Sequence, residues 1–280
     1  MRFADFAHEK ERAAAAARLE TFETVTDNTA RFLLESISTS FTDAWLDGPF
    51  YQSPDTGPHL PSINLVFVQS REGNTVADDP STLGGGETDK HLIYEGLSRA
   101  GADAVLAGAK TAGDGSVIFS IWHPAVVALR QALGKPRHPT QIVLSASGTL
   151  PVQQGLLFNV PEIPVVILSA GAPAKRLSND LRSRPWLRVI STGEHMDLPL
   201  AARRLKRELG IRRISAIGGR TAATRLINAG LVTDLYLTTS GISAGAPDTP
   251  MYIGAGSFRR ELAIQKRSSN GVVFEHFLLR

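Results

Sequence analysis

The chain has 280 residues, 42% of them hydrophobic and 20% charged, the proportions of a soluble globular domain. Thirty Lys and Arg face 27 Asp and Glu, a net charge of +3, which is a small excess for a nucleic-acid binder. Cysteine is absent, which excludes disulfides, thiolate metal sites and cysteine nucleophiles and fits a cytoplasmic protein.

In chain order, residues 8–12 (His-Glu-Lys-Glu-Arg) lead into five alanines, Ala13 to Ala17, a helix-forming run. Asp27 or Asn28 is placed to cap a second helix with Phe32, Leu33 and Ile37 on its apolar side. Breakers follow at 47–49 and 53–58. Two short helices bury too little surface to fold alone, so residues 1–58 are expected to form an extension packed on the following domain or on a partner subunit. Removing them is expected to lower stability or the oligomeric state. The opening residues lack the long apolar stretch of a signal peptide, and no run approaches the roughly 20 apolar residues of a membrane span.

From residue 59 to 280 the texture changes. Short apolar runs expected as strands lie at 63–69, 104–107, 141–145, 165–169, 187–190, 214–217, 235–239, 262–267 and 272–279. Helical stretches lie at 88–100, 124–133, 174–184, 198–209 and 222–229, with Gly134, Gly210 and Gly230 just past three of them. This alternation predicts an α/β layer fold with a mainly parallel sheet. The last two strands have only Ser268-Ser269-Asn270-Gly271 between them, a hairpin signal, so the sheet should end in an antiparallel C-terminal hairpin edge.

Ligands of open α/β sheets bind beyond the carboxyl ends of the strands. Two such exits are glycine-rich. One carries Gly108, Lys110 and Thr111; the other is Gly218-Gly219-Arg220-Thr221, running directly into a helix. Paired glycines let a phosphate approach the backbone, the first helix amides point at it, and Arg220 adds charge. The same residues also read as a plain tight turn. A third exit, residues 69–76, reads as a polar turn joining two strands, with Ser70 able to reach a ligand and Glu72 able to cap the turn. Asn64 is a polar group inside an apolar strand, so it is either a satisfied core amide or a ligand contact. The seven histidines show no helical zinc spacing, so no metal site is expected. Asp78 and Asp79 look like turn chemistry, and the basic run 203–207 looks like a solvated helix face.

In this order the motifs resemble the reductase domain of riboflavin biosynthesis, the pyrimidine reductase family. The resemblance rests on Ser70-Arg71-Glu72-Gly73-Asn74, on His91, on Asp103-Ala104-Val105-Leu106-Ala107-Gly108-Ala109-Lys110-Thr111, on Gly218-Gly219 and on Gly230-Leu231-Val232-Thr233-Asp234-Leu235. It implies a dihydrofolate-reductase-like three-layer αβα fold and an NADPH-dependent reductase acting on a phosphoribosylamino-pyrimidine or a related heterocycle such as a pterin. It further implies a homodimer with neither nucleic-acid nor membrane partner. Gly108, Thr111, Gly218, Gly219, Arg220 and Thr221 would hold the cofactor, with Ser145 and Ser169 at two further exits. Ser145, Ser147, Lys175 and Arg176 are candidates for a 2′-phosphate. Asn64, Ser70 and Glu72 would line the substrate side. The proton donor has no candidate. The chain departs from the family at Glu72, where Asp is usual, and at Ile217 and Leu235, where carboxylates are usual. Those two departures motivate an alternative, a catalytically lapsed homologue that binds a nucleotide or serves as a scaffold. Without cysteine, the family's zinc deaminase partner domain is not in this chain.

Overall fold

The computed structural model describes residues 2–55, 57–78, 80–113, 115–254 and 258–280. The body is built on strands β4 (Ser62–Gln69), β5 (Ala104–Gly108), β6 (Thr140–Leu144), β7 (Val165–Ser169), β8 (Leu187–Ser191), β9 (Arg213–Ile217) and β10 (Asp234–Thr239). These seven are mutually parallel in the order β10-β4-β9-β5-β6-β7-β8. Strands covered on both faces are near-continuous apolar runs, as β5, β6 and β7 are, whereas the edge strand β8 exposes Arg188 and Ser191. The hairpin β11 (Arg260–Ser268) and β12 (Val273–Leu279) joins antiparallel beside β10. Its turn carries Gly271 at φ +85.

Alternate side chains feed two cores. Val66, Val105, Val143, Ile167 and Ile217 point to one face, packed under α1 (Phe3–Ala16) and α6 (Pro124–Ala132) around Trp122 and Phe158. Leu65, Leu106, Ile142, Leu168 and Ala216 point to the other, under α8 (Leu198–Leu209) and α9 (Arg220–Asn228). The three-layer mixed sheet expected from the sequence is therefore present. Helix α7 (Gly171–Asp180) completes the first face through Leu177.

The extension differs from expectation. No second helix starts at Asp27. Residues Phe22–Asp27 form β1, which pairs antiparallel with β11 and becomes the outer edge strand beyond the hairpin. Asp27 instead closes a local turn, its Oδ1 accepting from the Thr29 amide at 2.8 Å and the Thr29 hydroxyl at 2.6 Å, so only one tight turn, Thr29–Arg31, is helical there. A small antiparallel pair, β2 (Glu35–Ile37) with β3 (Phe50–Gln52), brackets α2 (Ser40–Leu46). Lys266 of β11, 1% exposed, locks this unit down. Its ammonium donates to the Thr24 hydroxyl at 3.0 Å and to the Leu46 and Asp47 carbonyls at 2.5 and 3.0 Å. Lys266→Met leaves those acceptors buried and unmet, so chemical denaturation should show a loss of about 2 kcal/mol.

Two further expectations are corrected. The stretch 88–100 is not one α-helix. A short α3 (Gly86–Thr88) leads into a π-helix, Asp89–Leu97, and then α4 (Ser98–Ala100). The basic run on α8 is not wholly solvated. Lys206 has a 9% exposed side chain, pairs with Asp55 and donates to the Leu60 carbonyl at 2.8 Å, while Arg204 pairs with Glu208 at 2.6 Å. No helix among the described residues is long and apolar enough to cross a membrane.

Candidate active site

A cleft of about 1020 Å³ opens over the carboxyl ends of the central parallel strands. Its walls come from the exits of β4, β5, β6 and β9, from the π-helix, from the loop before it, and from Lys10 of α1.

One end is built from glycine. Gly218 and Gly219 adopt φ +58 and +78, and α9 starts at the next residue with no side chain capping it. A methyl added to Gly218 would sit 4.0 Å from both the Thr111 and Tyr94 hydroxyls, and one on Gly219 would sit 4.0 Å from the Thr111 hydroxyl. Gly108, which leads into the short helix α5 (Ala109–Ala112), closes on the same corner, where an added methyl would meet Ala222 at 4.0 Å. The first amides of α9 have no partner within the helix. Bare amides, a hydroxyl and a positive helix end therefore meet in open space, and this cradle fits a phosphate. Arg220 and Thr221 also line the cleft; the Arg220 Nε donates to the Pro250 carbonyl at 2.6 Å, which fixes the guanidinium at the rim.

Asn64, Ser70, Glu72, Ser145 and Ser169 are not on the cleft wall, and neither are the 2′-phosphate candidates Ser147, Lys175 and Arg176. Asn64 donates from Nδ2 to the Ser98 carbonyl at 3.2 Å, beneath the π-helix. Ser70 is buried and donates to Glu72 at 3.0 Å, and Glu72 also receives the Ser243 hydroxyl. These hydroxyls, Ser243 foremost, hold the Glu72 carboxyl below its ordinary range. The turn at 70–73 leads to no second strand. It is braced against the loop 241–249 by hydrogen bonds from Arg71 and Thr75. Ser145 accepts the Gly148 amide at 3.1 Å, and Ser169 is fully buried. Asp78 lies outside the cleft wall, and Asp79 lies outside the described residues. The first residue of the β5 motif, Asp103, is structural. Burial pushes its carboxyl up, but Lys135 at 2.6 Å and the Arg212 and Arg213 amides outweigh burial and hold it low.

The opposite wall was not read from the sequence as a site. The π-helix presents Asp89, Lys90, Tyr94 and Glu95 to the cleft, that is positions i, i+1, i+5 and i+6. An α-helix would repeat its face at three and four residues, so the five-residue interval is the signature of the wider turn. Asp89 is 5% exposed, and burial pushes its carboxyl up to about 6, only partly offset by the Thr238 hydroxyl. Burial likewise raises the Tyr94 phenol to about 12 and lowers the His91 imidazole to about 4. The extension grips the start of this wall. The Arg18 amide donates to Glu87 at 2.9 Å and the Glu20 amide to the Thr88 hydroxyl at 2.8 Å.

A mixed sheet, parallel in its body, with helices on both faces and a broad cleft over the carboxyl ends of its parallel strands defines a three-layer α/β domain. The chain belongs to the RibD C-terminal domain family, whose model matches residues 61–274. It is similar to a pyrimidine reductase-like protein of Corynebacterium diphtheriae, at 22% identity and a TM-score of 0.64 over 79% of this chain and 92% of that one. It is also similar to Acinetobacter baumannii RibD, at 17% identity and a TM-score of 0.61, covering 79% of this chain and 58% of that one. A third likeness is to the riboflavin biosynthesis reductase Rib7 of Saccharomyces cerevisiae, at 16% identity and a TM-score of 0.55 over 82% and 93% of the two chains. These likenesses show the fold. No curated protein matches the chain.

Proposed function

We propose that the protein is an NADPH-dependent reductase of the pyrimidine reductase type, acting on the phosphoribosylamino-pyrimidine of riboflavin biosynthesis or on a related heterocycle such as a pterin. The observation that carries this reading is the convergence of Gly108, Thr111, Gly218 and Gly219 in one cleft with the uncapped start of α9. Those residues would hold the cofactor's pyrophosphate. When bound, the cofactor supplies a hydride to a carbonyl or imine carbon. The chain's own part is to orient both molecules along the cleft and to exclude water. Asn64, Ser70, Glu72, Ser145 and Ser169 would act on this reading only through the loops they brace. The reading includes a homodimer, in which residues 1–58 remain an extension of the domain at 59–280.

Titration with NADPH, followed by nicotinamide fluorescence, should saturate. Absence of saturable binding at millimolar cofactor would sink the reading. Gly219→Ala puts a methyl into the cradle at φ +78; NADPH affinity should fall at least about tenfold, while stability falls by only about 1–2 kcal/mol.

Ile217 and Leu235 favour the alternative of a binding protein without turnover. Both are core residues, 1% and 0% exposed, so no carboxylate stands at either place. NADPH oxidation driven by the pyrimidine would eliminate that alternative.

A further inference from the structure

Helix α1 lies outside the residues that match the family, yet it reaches the cleft. Its inward stripe is Phe3, Phe6, Lys10 and Ala14, at intervals of three and four residues. Phe6 and Ala14 are buried and Phe3 packs against the core, while Asp5, His8, Glu9, Glu11 and Arg12 are exposed. The packed side of such a helix is where an apolar residue belongs, yet half-buried Lys10 stands there. Its stem runs over Phe6, with Nζ 5.6 Å from the ring centroid. Lys10 lines the cleft and makes no hydrogen bond or ion pair among the described residues. Of the described residues that line the cleft, it alone comes from outside residues 61–274.

A second cation stands near it. Lys90 of the π-helix lines the same cleft and is likewise unpaired among the described residues. The charges of both lysines act on one residue. Burial foremost, then Lys90, with His123 and Lys10 adding and Glu87 opposing, lowers the His91 imidazole to about 4. Three carboxyls also line this side, Glu87, Asp89 and Glu95, and neither lysine is ion-paired with any of them. Two ammoniums that bypass three carboxylates in one cleft are left available to a ligand. The position of Lys10 is fixed. Glu11 pairs with Arg137 at 2.9 Å, and Phe6 meets Trp122 edge-on at 5.7 Å. Just after α1, the Arg18 and Glu20 amides fasten the chain to Glu87 and Thr88.

The chemistry of the ligand follows from the pair. An ammonium is a compact point charge with three donors, which suits the spread oxygens of a phosphate, whereas flat recognition of a carboxylate favours arginine. The arginines of the cleft, Arg220 and Arg225, both belong to α9. Two ammoniums match the two negative charges of a phosphomonoester. We infer that Lys10 and Lys90 form a second anion site in the cleft, separate from the glycine cradle, and bind the phosphomonoester of a sugar-phosphate-bearing substrate. The inference rests on the reductase reading only in calling that ligand the substrate. It makes α1 part of the binding machinery, since one of the two cations arrives with a segment outside the matched domain.

Calorimetric titration of the full chain with ribose 5-phosphate tests this without cofactor. Wild type should bind it, and ribose should bind about 100-fold more weakly. Lys10→Gln and Lys90→Gln should each weaken ribose 5-phosphate about tenfold, while both keep wild-type affinity for NADPH. Added NADPH should not displace ribose 5-phosphate, because the glycine cradle is a different place. Equal binding of ribose and ribose 5-phosphate by wild type, no binding of ribose 5-phosphate at all, its displacement by NADPH, or undiminished binding by either variant would each overturn the proposal. Should Lys10→Gln fail to fold, Lys90→Gln decides in the same way. Failure of NADPH to bind wild type, with ribose 5-phosphate still held by both lysines, would instead remove the reductase reading and leave this site standing.

Discussion

Asp89→Asn is expected to make the protein more stable than wild type by about 3 kcal/mol above about pH 6, and by almost nothing in strong acid. The unfolded carboxyl ionises near 3.8 and the folded one near 6. Between those values the fold keeps a proton that the unfolded chain has released. Wild-type stability therefore falls as pH rises through that window and is level above it. Asparagine has no proton to lose, so the gap between the two proteins opens from about pH 4 to about pH 6 and then stays constant. Denaturant melts across pH check this. A gap that does not change with pH, or a variant less stable at neutral pH, would mean that Asp89 is a satisfied structural group.

The second large effect is expected at Gly96. A Cβ there would lie 2.3 Å from the His91 carbonyl oxygen, a backbone atom that cannot swing aside. Gly96 also has φ −118 and ψ −112, the irregular point that lets the π-helix run into α4. Gly96→Ala should cost about 3 kcal/mol in denaturant melts. The damage should extend beyond stability. A forced return toward α-helical winding changes the angle between residues five apart, so Asp89 and Lys90 no longer share a wall with Tyr94 and Glu95. Binding of NADPH across the same cleft should weaken by more than the stability loss alone predicts. An alanine variant with wild-type melting and wild-type binding would show that the wide turn is incidental.

The body of the sheet was legible because its cause is local. A strand buried on both faces must be apolar along its length, and Val165–Ser169 carries that requirement in five consecutive residues. The glycine end was legible for a similar reason, since Gly218 and Gly219 take backbone angles that few other residues tolerate. What was missed has distant causes. Strand β1 reads Phe-Glu-Thr-Val-Thr-Asp, mostly exposed, and only its pairing with β11 makes it a strand. Asp89 looks like an ordinary polar residue at a helix start. Its burial comes from the side chains that pack around it once the chain turns at Gly84 and Gly85, and from Thr238 of β10, which lies far along the chain. The spacing of Asp89 to Tyr94 and Lys90 to Glu95, with a glycine at 96, was the available signal. It goes unseen when helices are counted only at three and four residues. Likewise Lys206 belongs to a basic run whose partners, Asp55 and the Leu60 carbonyl, lie far along the chain.

The place of β1 also bears on how the molecule is made. Thr24 and Lys266 are bonded across 242 positions of sequence, so during synthesis the first strand leaves the ribosome long before its neighbour exists. Residues 22–27 can find their place only after residues 260–268 have emerged. Arg18 and Glu20, which bond Glu87 and Thr88 at the cleft's rim, adjoin a strand that is anchored only once β11 exists.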